Sequence, residues 1–311
     1  MIQRELKLGF VGQVGYVGTR GIRQMGFQEL NYAEPGDGTA GRLLNRRFGR
    51  NASTQVVRPL GTANYNALQA QATRRFANGF QLQASYTWSK AISYNDEADS
   101  SLSFNAPSQL ARNRSLTNYD RPHNLQAGWT AELPFGQGKP WAQQGLAKHI
   151  FGGWQLNGIF SAYSGTPFTV SAAATSLNAP GNTQTADQVK PEVEILGGTG
   201  PGQSYFDPLA FVPVTAVRFG NSGLNILRGP GVVNLDLGLF REFAATERVR
   251  IQFRAETFNA TNTPHFNNPG TNVSNMQLRP DGSVASLRGY SEILSAQDDE
   301  RQFRFGLRIS F

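Results

Sequence analysis

The chain has 311 residues, enough to bury a sizeable core, and a formal net charge of +7 from 29 Lys and Arg against 22 Asp and Glu. It has no Cys, which excludes disulfides, thiol nucleophiles and Cys-ligated metals. No window holds the run of about 18 apolar residues that a membrane-spanning helix needs, and the basic residues are scattered rather than gathered in a tail, so nucleic acid is not an expected partner.

The dominant pattern is alternation with period 2, the signature of strands. It is weak over 5–17 and about 64–76. At 80–89, Phe80, Leu82, Ala84, Tyr86 and Trp88 alternate with Gln81, Gln83, Ser85, Thr87 and Ser89. At 124–133, Leu125, Ala127, Trp129, Ala131 and Leu133 alternate with polar residues and Gly128. A weaker segment covers 153–164. Clear ones follow at 232–240, with Val233, Leu235, Leu237 and Leu239 on one face, and at 248–257, with Val249, Ile251, Phe253 and Ala255. In the last, 301–311, Phe303, Phe305, Leu307, Ile309 and Phe311 share one face, and Gln302, Arg304, Gly306, Arg308 and Ser310 share the other.

These eight segments are roughly 10–13 residues each, against about 5–6 for an ordinary strand and about 9–11 for one that crosses a bilayer. Their links alternate in length. The links at 77–79, 135–152 and 243–247 are shorter, and those at 19–61, 94–121, 165–229 and 263–300 are long and rich in Asn, Gly and Pro. In an up-and-down sheet, alternate links share an edge. The expectation is an all-β chain: an antiparallel up-and-down transmembrane β-barrel portion of about eight strands, with short periplasmic turns and long extracellular loops. On this reading both residue 1 and Phe311 lie at the periplasmic edge.

Several stretches resemble the C-terminal part of an Oar-like TonB-dependent outer-membrane receptor. They are Asn64-Tyr65-Asn66-Ala67-Leu68-Gln69, FQLQASYTWSK at 80–90, Leu133-Pro134-Phe135-Gly136, Gly153-Trp154-Gln155-Leu156-Asn157-Gly158 and Ser164-Gly165-Thr166-Pro167-Phe168. The segment 234–241, RAETFNATNTPHFNN at 254–268 and the terminal 304–311 complete the match, which covers most of 62–311. The residues at 15–20 are similar more weakly. The resemblance implies a large plugged barrel for nutrient uptake driven by the inner-membrane TonB complex. The chain shows no secretion signal in its first residues, no TonB box, no plug and no N-terminal sandwich. Residues 1–311 are therefore expected to be the C-terminal part of such a barrel, located in the outer membrane. Expected partners are outer-membrane lipid, the remaining strands and plug of the parent receptor, and TonB only through that plug.

The alternating last strand ending on Phe311 is similar to the signal read by the barrel-assembly machinery, which makes Phe303, Phe305, Leu307, Ile309 and Phe311 the expected assembly residues. The logic is strand addition to a receiving edge. Arg250, Arg254, Arg304 and Arg308 fall on the polar faces of the last two strands, as a cationic lumen wall or as partners of Glu256, Asp236 and similar lumen groups. With the faces reversed, each Arg would cost about 2–4 kcal/mol in lipid, so the apolar face is expected outward. His123, His149 and His265 lack metal-ligand spacing. No nucleophile elbow occurs, and 197–202 lacks the Lys of a phosphate loop. No catalytic residue, cofactor or metal is expected, and acidic clusters at 96–99 and 298–300 read as solvated loop ends. A closed eight-stranded barrel acting as channel or adhesin, and a soluble β-sandwich binding module, are the alternatives.

Overall fold

The computed structural model describes residues 1–96, 100–297 and 300–311. Among the described residues nine strands, against about eight expected, follow one another along the main sheet: β1 (Ile2–Glu5), β2 (Phe10–Glu29), β3 (Gln55–Ala77), β4 (Phe80–Ser93), β5 (His123–Glu132), β6 (Trp154–Tyr163), β7 (Val232–Ala244), β8 (Arg250–Phe258) and β9 (Gln302–Ser310). Each pairs antiparallel with the next in one sheet, and the two-residue strand Ser115–Leu116 adds to the far end of β4. Among the described residues β1 and β9 do not pair with each other, so the sheet is open.

The first predicted strand needs correction. Leu8 and Gly9 take left-handed φ values of 62° and 74°, and the chain reverses there. Residues before the reversal fold back as β1, pairing Ile2 with Val14 and Glu5 with Val11. The chain therefore starts against Val14, five residues into β2, not at the short-turn edge. The β2–β3 pair is also much longer than the alternation indicated, because pairing continues through register shifts to Glu29 opposite Gln55. At about 3.3 Å per residue, the 23 residues of β3 span roughly 70 Å, more than twice a hydrocarbon core of about 30 Å.

β3 and β4 are joined through Asn78 and Gly79, at φ 52° and 76°. Both residues tolerate the left-handed region, and their twist matches that of the flanking strands. The cross-strand register then sorts the two faces. Leu82, Trp129, Gly158, Leu237, Thr257 and Phe303 form one row; the neighbouring row is Gln81, Thr130, Asn157, Gly238, Glu256 and Arg304. One face is thus apolar and the other polar from β4 to β9. Within the apolar row the Trp129 ring lies over Gly158, where a Cβ would come 2.1 Å from the indole.

The wall itself buries little. Phe303, Phe305 and Leu307 are 64%, 71% and 65% exposed. The hydrophobic core lies instead in the links at the long-loop edge, where Phe168, Val170, Phe206, Phe211, Val273 and Tyr290 pack together. Phe206 meets Phe211 and Tyr290 edge-on, with ring centroids 6.1 and 5.4 Å apart. Short ladders order these links: Pro167–Phe168 with Leu227–Arg228, and Asp187–Gln188 with Phe211–Val212. Links that composition marks as irregular thus form a folded cap.

Candidate functional site

Two features have functional geometry: the polar face of the wall and the cap above it. A cavity of about 390 Å³ on the polar face is lined by residues of β4 to β8, including Gln81, Gln83, Thr130, Asn157, Asp236 and Glu256. One cavity can touch five successive strands only if the sheet curls toward that face. The polar face is therefore concave. Its amides and hydroxyls bond laterally: Thr130 Oγ1 donates to Asn157 Oδ1 at 2.8 Å, and Ser161 Oγ to Gln126 Oε1 at 2.6 Å.

The register puts Arg250, Arg254, Arg304 and Arg308 on this same face, opposite Ser310, Gly306, Glu256 and Gln252 respectively. Among the described residues neither Glu256 nor Asp236 forms an ion pair with them, but another carboxylate of this face does. Arg250 pairs with Glu242 at 2.9 Å, an exposed contact of low stabilising value. Arg254 donates to Gln252 Oε1 at 2.8 Å and lies 5.1 Å from the Phe240 ring centre. Arg304 sits 5.2 Å over Phe258 and forms no ion pair with the Glu256 it faces among the described residues. Asp236 instead accepts the Asn234 side-chain amide and the Asn259 backbone N–H. The β8–β9 end of the concave face thus keeps a net positive charge, with acidic groups nearer its centre.

Phe303, Phe305, Leu307 and Ile309 occupy the apolar face of β9, and Phe311 ends the chain fully exposed. Among the described residues β9 bonds only to β8, and its other edge carries unpaired backbone groups. The histidines are dispersed: His123 Nδ1 lies 2.7 Å from the Tyr86 hydroxyl, and His265 Nε2 lies 3.0 Å from the Val233 carbonyl. His149 lies in the helix Gly145–Phe151. Of the acidic clusters, residues 97–99 and 298–299 fall outside the described residues, while Asp96 accepts the Asn118 backbone N–H at 2.8 Å. The glycines at 197–202 form part of the cap, where Gly200 donates to the Ile293 carbonyl.

A family model described as an outer membrane beta barrel domain matches residues 1–304. The chain belongs to that family. Membership places this outer-membrane barrel domain in lipid and gives the exposed apolar face its solvent. Among solved structures it is similar to the outer membrane transporter YddB from Escherichia coli, with 7% identity and a TM-score of 0.50. That likeness covers 99% of this chain but only 31% of the transporter chain, and at this identity it is a likeness of fold. A comparison with curated proteins finds no match.

The contacts that lock the cap of this barrel domain were not visible in the sequence. Asp120, with its side chain 1% exposed, pairs with Arg228 at 2.7 Å and accepts the Ala91 N–H at 2.6 Å. Asn182, legible only as part of a turn-rich stretch, accepts the backbone N–H groups of Asn105 and Ala106 and donates to the Ala33 carbonyl. Three links are tied through one side chain.

A bidentate pair joins Arg218 to Asp187, at 2.9 and 2.6 Å. Hydrogen bonding to that guanidinium holds the Asp187 carboxyl below its ordinary value of 3.8, and the Asn221 N–H adds to this against the opposing effect of burial. A depressed carboxyl contributes stability that is complete above its unfolded value and is lost as pH falls through the lower folded value. Protease cleavage within 164–231 is therefore expected to rise as pH drops below about 4, with an acid-stable protease as the probe. Asp187→Asn is expected to show higher cleavage at neutral pH and a weaker acid-dependent rise.

Proposed function

We propose that this chain is the C-terminal wall of an Oar-like, TonB-dependent outer-membrane receptor, a structural rather than catalytic part of a nutrient importer. The observation that carries this reading is the open sheet with a curled polar face. Its apolar face suits lipid, but the free edges of β9 and of β2 between Val14 and Phe27 do not. Each unpaired backbone group in hydrocarbon costs several kcal/mol, so further strands must pair there. The transporter of similar fold, about three times as long, supports a larger barrel.

In that assembly the cap is extracellular and the short turns are periplasmic. The concave face, with Arg250, Arg254, Arg304 and Arg308 at one end, lines the lumen and meets the plug, through which TonB acts. Phe303, Phe305, Leu307, Ile309 and Phe311 present the assembly signal to the barrel-assembly machinery by strand addition.

The test is expression of residues 1–311 behind a secretion signal, then electrophoresis in SDS with and without boiling. The expected result is an aggregated product with no heat-dependent shift. A shift would mean that these strands close alone as a small barrel. A folded monomer that needs no detergent would overturn the membrane assignment.

A further inference from the structure

We propose that the outward face of β2–β4, at its long-loop end, binds the phosphate-bearing headgroup of an outer-membrane lipid. The proposal rests on the outer-membrane assignment of this face, and the observation is an abrupt change of chemistry along it. Tyr16, Leu68 and Trp88 form a cross-strand row, 67%, 42% and 57% exposed. The next row on the same face is Gly18, Asn66 and Lys90, and the one after is Arg20, Asn64 and Ile92. Arg114 reaches onto these rows, donating to Thr62 Oγ1 at 3.2 Å and Asn64 Oδ1 at 2.9 Å. Within two rows an aromatic band gives way to three cations.

Among the described residues those cations have no carboxylate partner. The side chains of Lys90 and Arg20 are exposed and form no hydrogen bond or ion pair among the described residues, and the partners of Arg114 are neutral. Two carboxylates of this region are already engaged: Asp120 by Arg228 and the Ala91 N–H, and Asp96 by Asn118. A hollow of about 420 Å³ opens here, lined by Asn66, Trp88, Lys90, Leu116 and Pro122 along with the Asp120–Arg228 pair. The Tyr16 hydroxyl donates to Asn66 Oδ1 at 2.5 Å, which leaves the Asn66 amide N–H groups as donors toward the hollow.

A ligand that suits this arrangement is anionic at one end and apolar at the other. Its charged group meets Lys90, Arg114 and Arg20, and its chains run down over Trp88 and Leu68. Aromatic side chains favour the membrane–water interface, and basic groups there attract anionic headgroups. A phosphorylated lipid has this polarity; free phosphate satisfies only the upper half. An acidic protein segment would gain nothing from the exposed aromatic row in lipid.

The experiment uses the full receptor extracted from outer membranes in mild detergent, with native mass spectrometry as the readout. The probes are a bis-phosphorylated glycolipid, its dephosphorylated form and inorganic phosphate. Wild type is expected to retain the phosphorylated lipid, and Lys90→Gln with Arg114→Gln to bind it at least tenfold more weakly. Lys148→Gln, at the opposite edge, is expected to match wild type. Equal binding of the dephosphorylated form, equal binding by the double variant, or displacement by millimolar inorganic phosphate would overturn the proposal. So would retention of an acidic protein in place of lipid. Absence of wild type from the outer-membrane fraction would instead refute the membrane placement itself.

Discussion

Leu237→Arg is expected to abolish accumulation of the folded protein in the outer membrane, whereas Gln83→Arg leaves it there. The two positions sit at nearly the same height on opposite faces. Leu237 lies between Gly158 and Thr257 on the apolar face, and Gln83 is opposite Gly128 on the polar face. An Arg near the middle of the lipid face costs about 2–4 kcal/mol, a large part of a typical net stability of about 5–15 kcal/mol. On the concave face the same side chain stays in water. Outer-membrane fractionation and the heat-dependent gel shift of the full receptor measure the difference. Loss of both variants, or of neither, would mean that the faces are not divided between lipid and lumen.

The second large effect is expected in the cap. Phe206 is completely buried and contacts Phe168, Phe211 and Tyr290 through its ring. Truncating such an aromatic typically costs about 3–5 kcal/mol, from lost transfer free energy and the cavity left behind. Phe206→Ala should therefore open 164–231 and 259–297 to protease while the strands stay protected, since the wall draws its stability from ladder hydrogen bonds and lipid. Tyr290→Phe tests the same core in the opposite direction. The Tyr290 hydroxyl is buried with no hydrogen-bond partner among the described residues, and burial pushes its phenol pKa upward. Removing an unsatisfied buried hydroxyl should keep or improve protection. If Phe206→Ala leaves cleavage unchanged, the cap core contributes no local stability.

The strand framework was legible because its signal is local. In 80–89, 232–240 and 301–311 the side chains themselves alternate, and a strand sends alternate side chains to opposite faces whatever its neighbours are. The short link at 77–79 was legible in the same way, from where the alternation stops and resumes. The break at Leu8 and Gly9 was missed because a three-residue reversal barely interrupts the alternation on either side. The length of β2 and β3 was missed for a different reason. Beyond residue 20 the segment carries Gly21, Arg23 and Gly26, so the strand persists through its partner and not through its own pattern.

The candidate site divides the same way. That Arg250, Arg254, Arg304 and Arg308 share a face follows from parity within each strand plus antiparallel pairing. Which groups they meet depended on register and rotamer: Arg250 found the carboxylate of Glu242, while Arg254 and Arg304 met Gln252 and two aromatic rings. The cation cluster around Lys90 was hidden because its members come from β2, β4 and the link after β4.

By itself, the sequence determined the all-β class, the places of the long alternating segments, their two faces and the edge that bears the long links, but not the added strand Ile2–Glu5. Those properties depend on side-chain period and link length, which are written along the chain. Only the tertiary structure decided that the long links fold into a cap. Its core joins Phe168, Phe206, Val273 and Tyr290 with no fixed period, and its ties, such as Asp120 to Arg228, close loops of more than a hundred residues. Contacts at such separations are set by where the strands hold the link ends, a property of the sheet as a whole and not of any stretch of sequence.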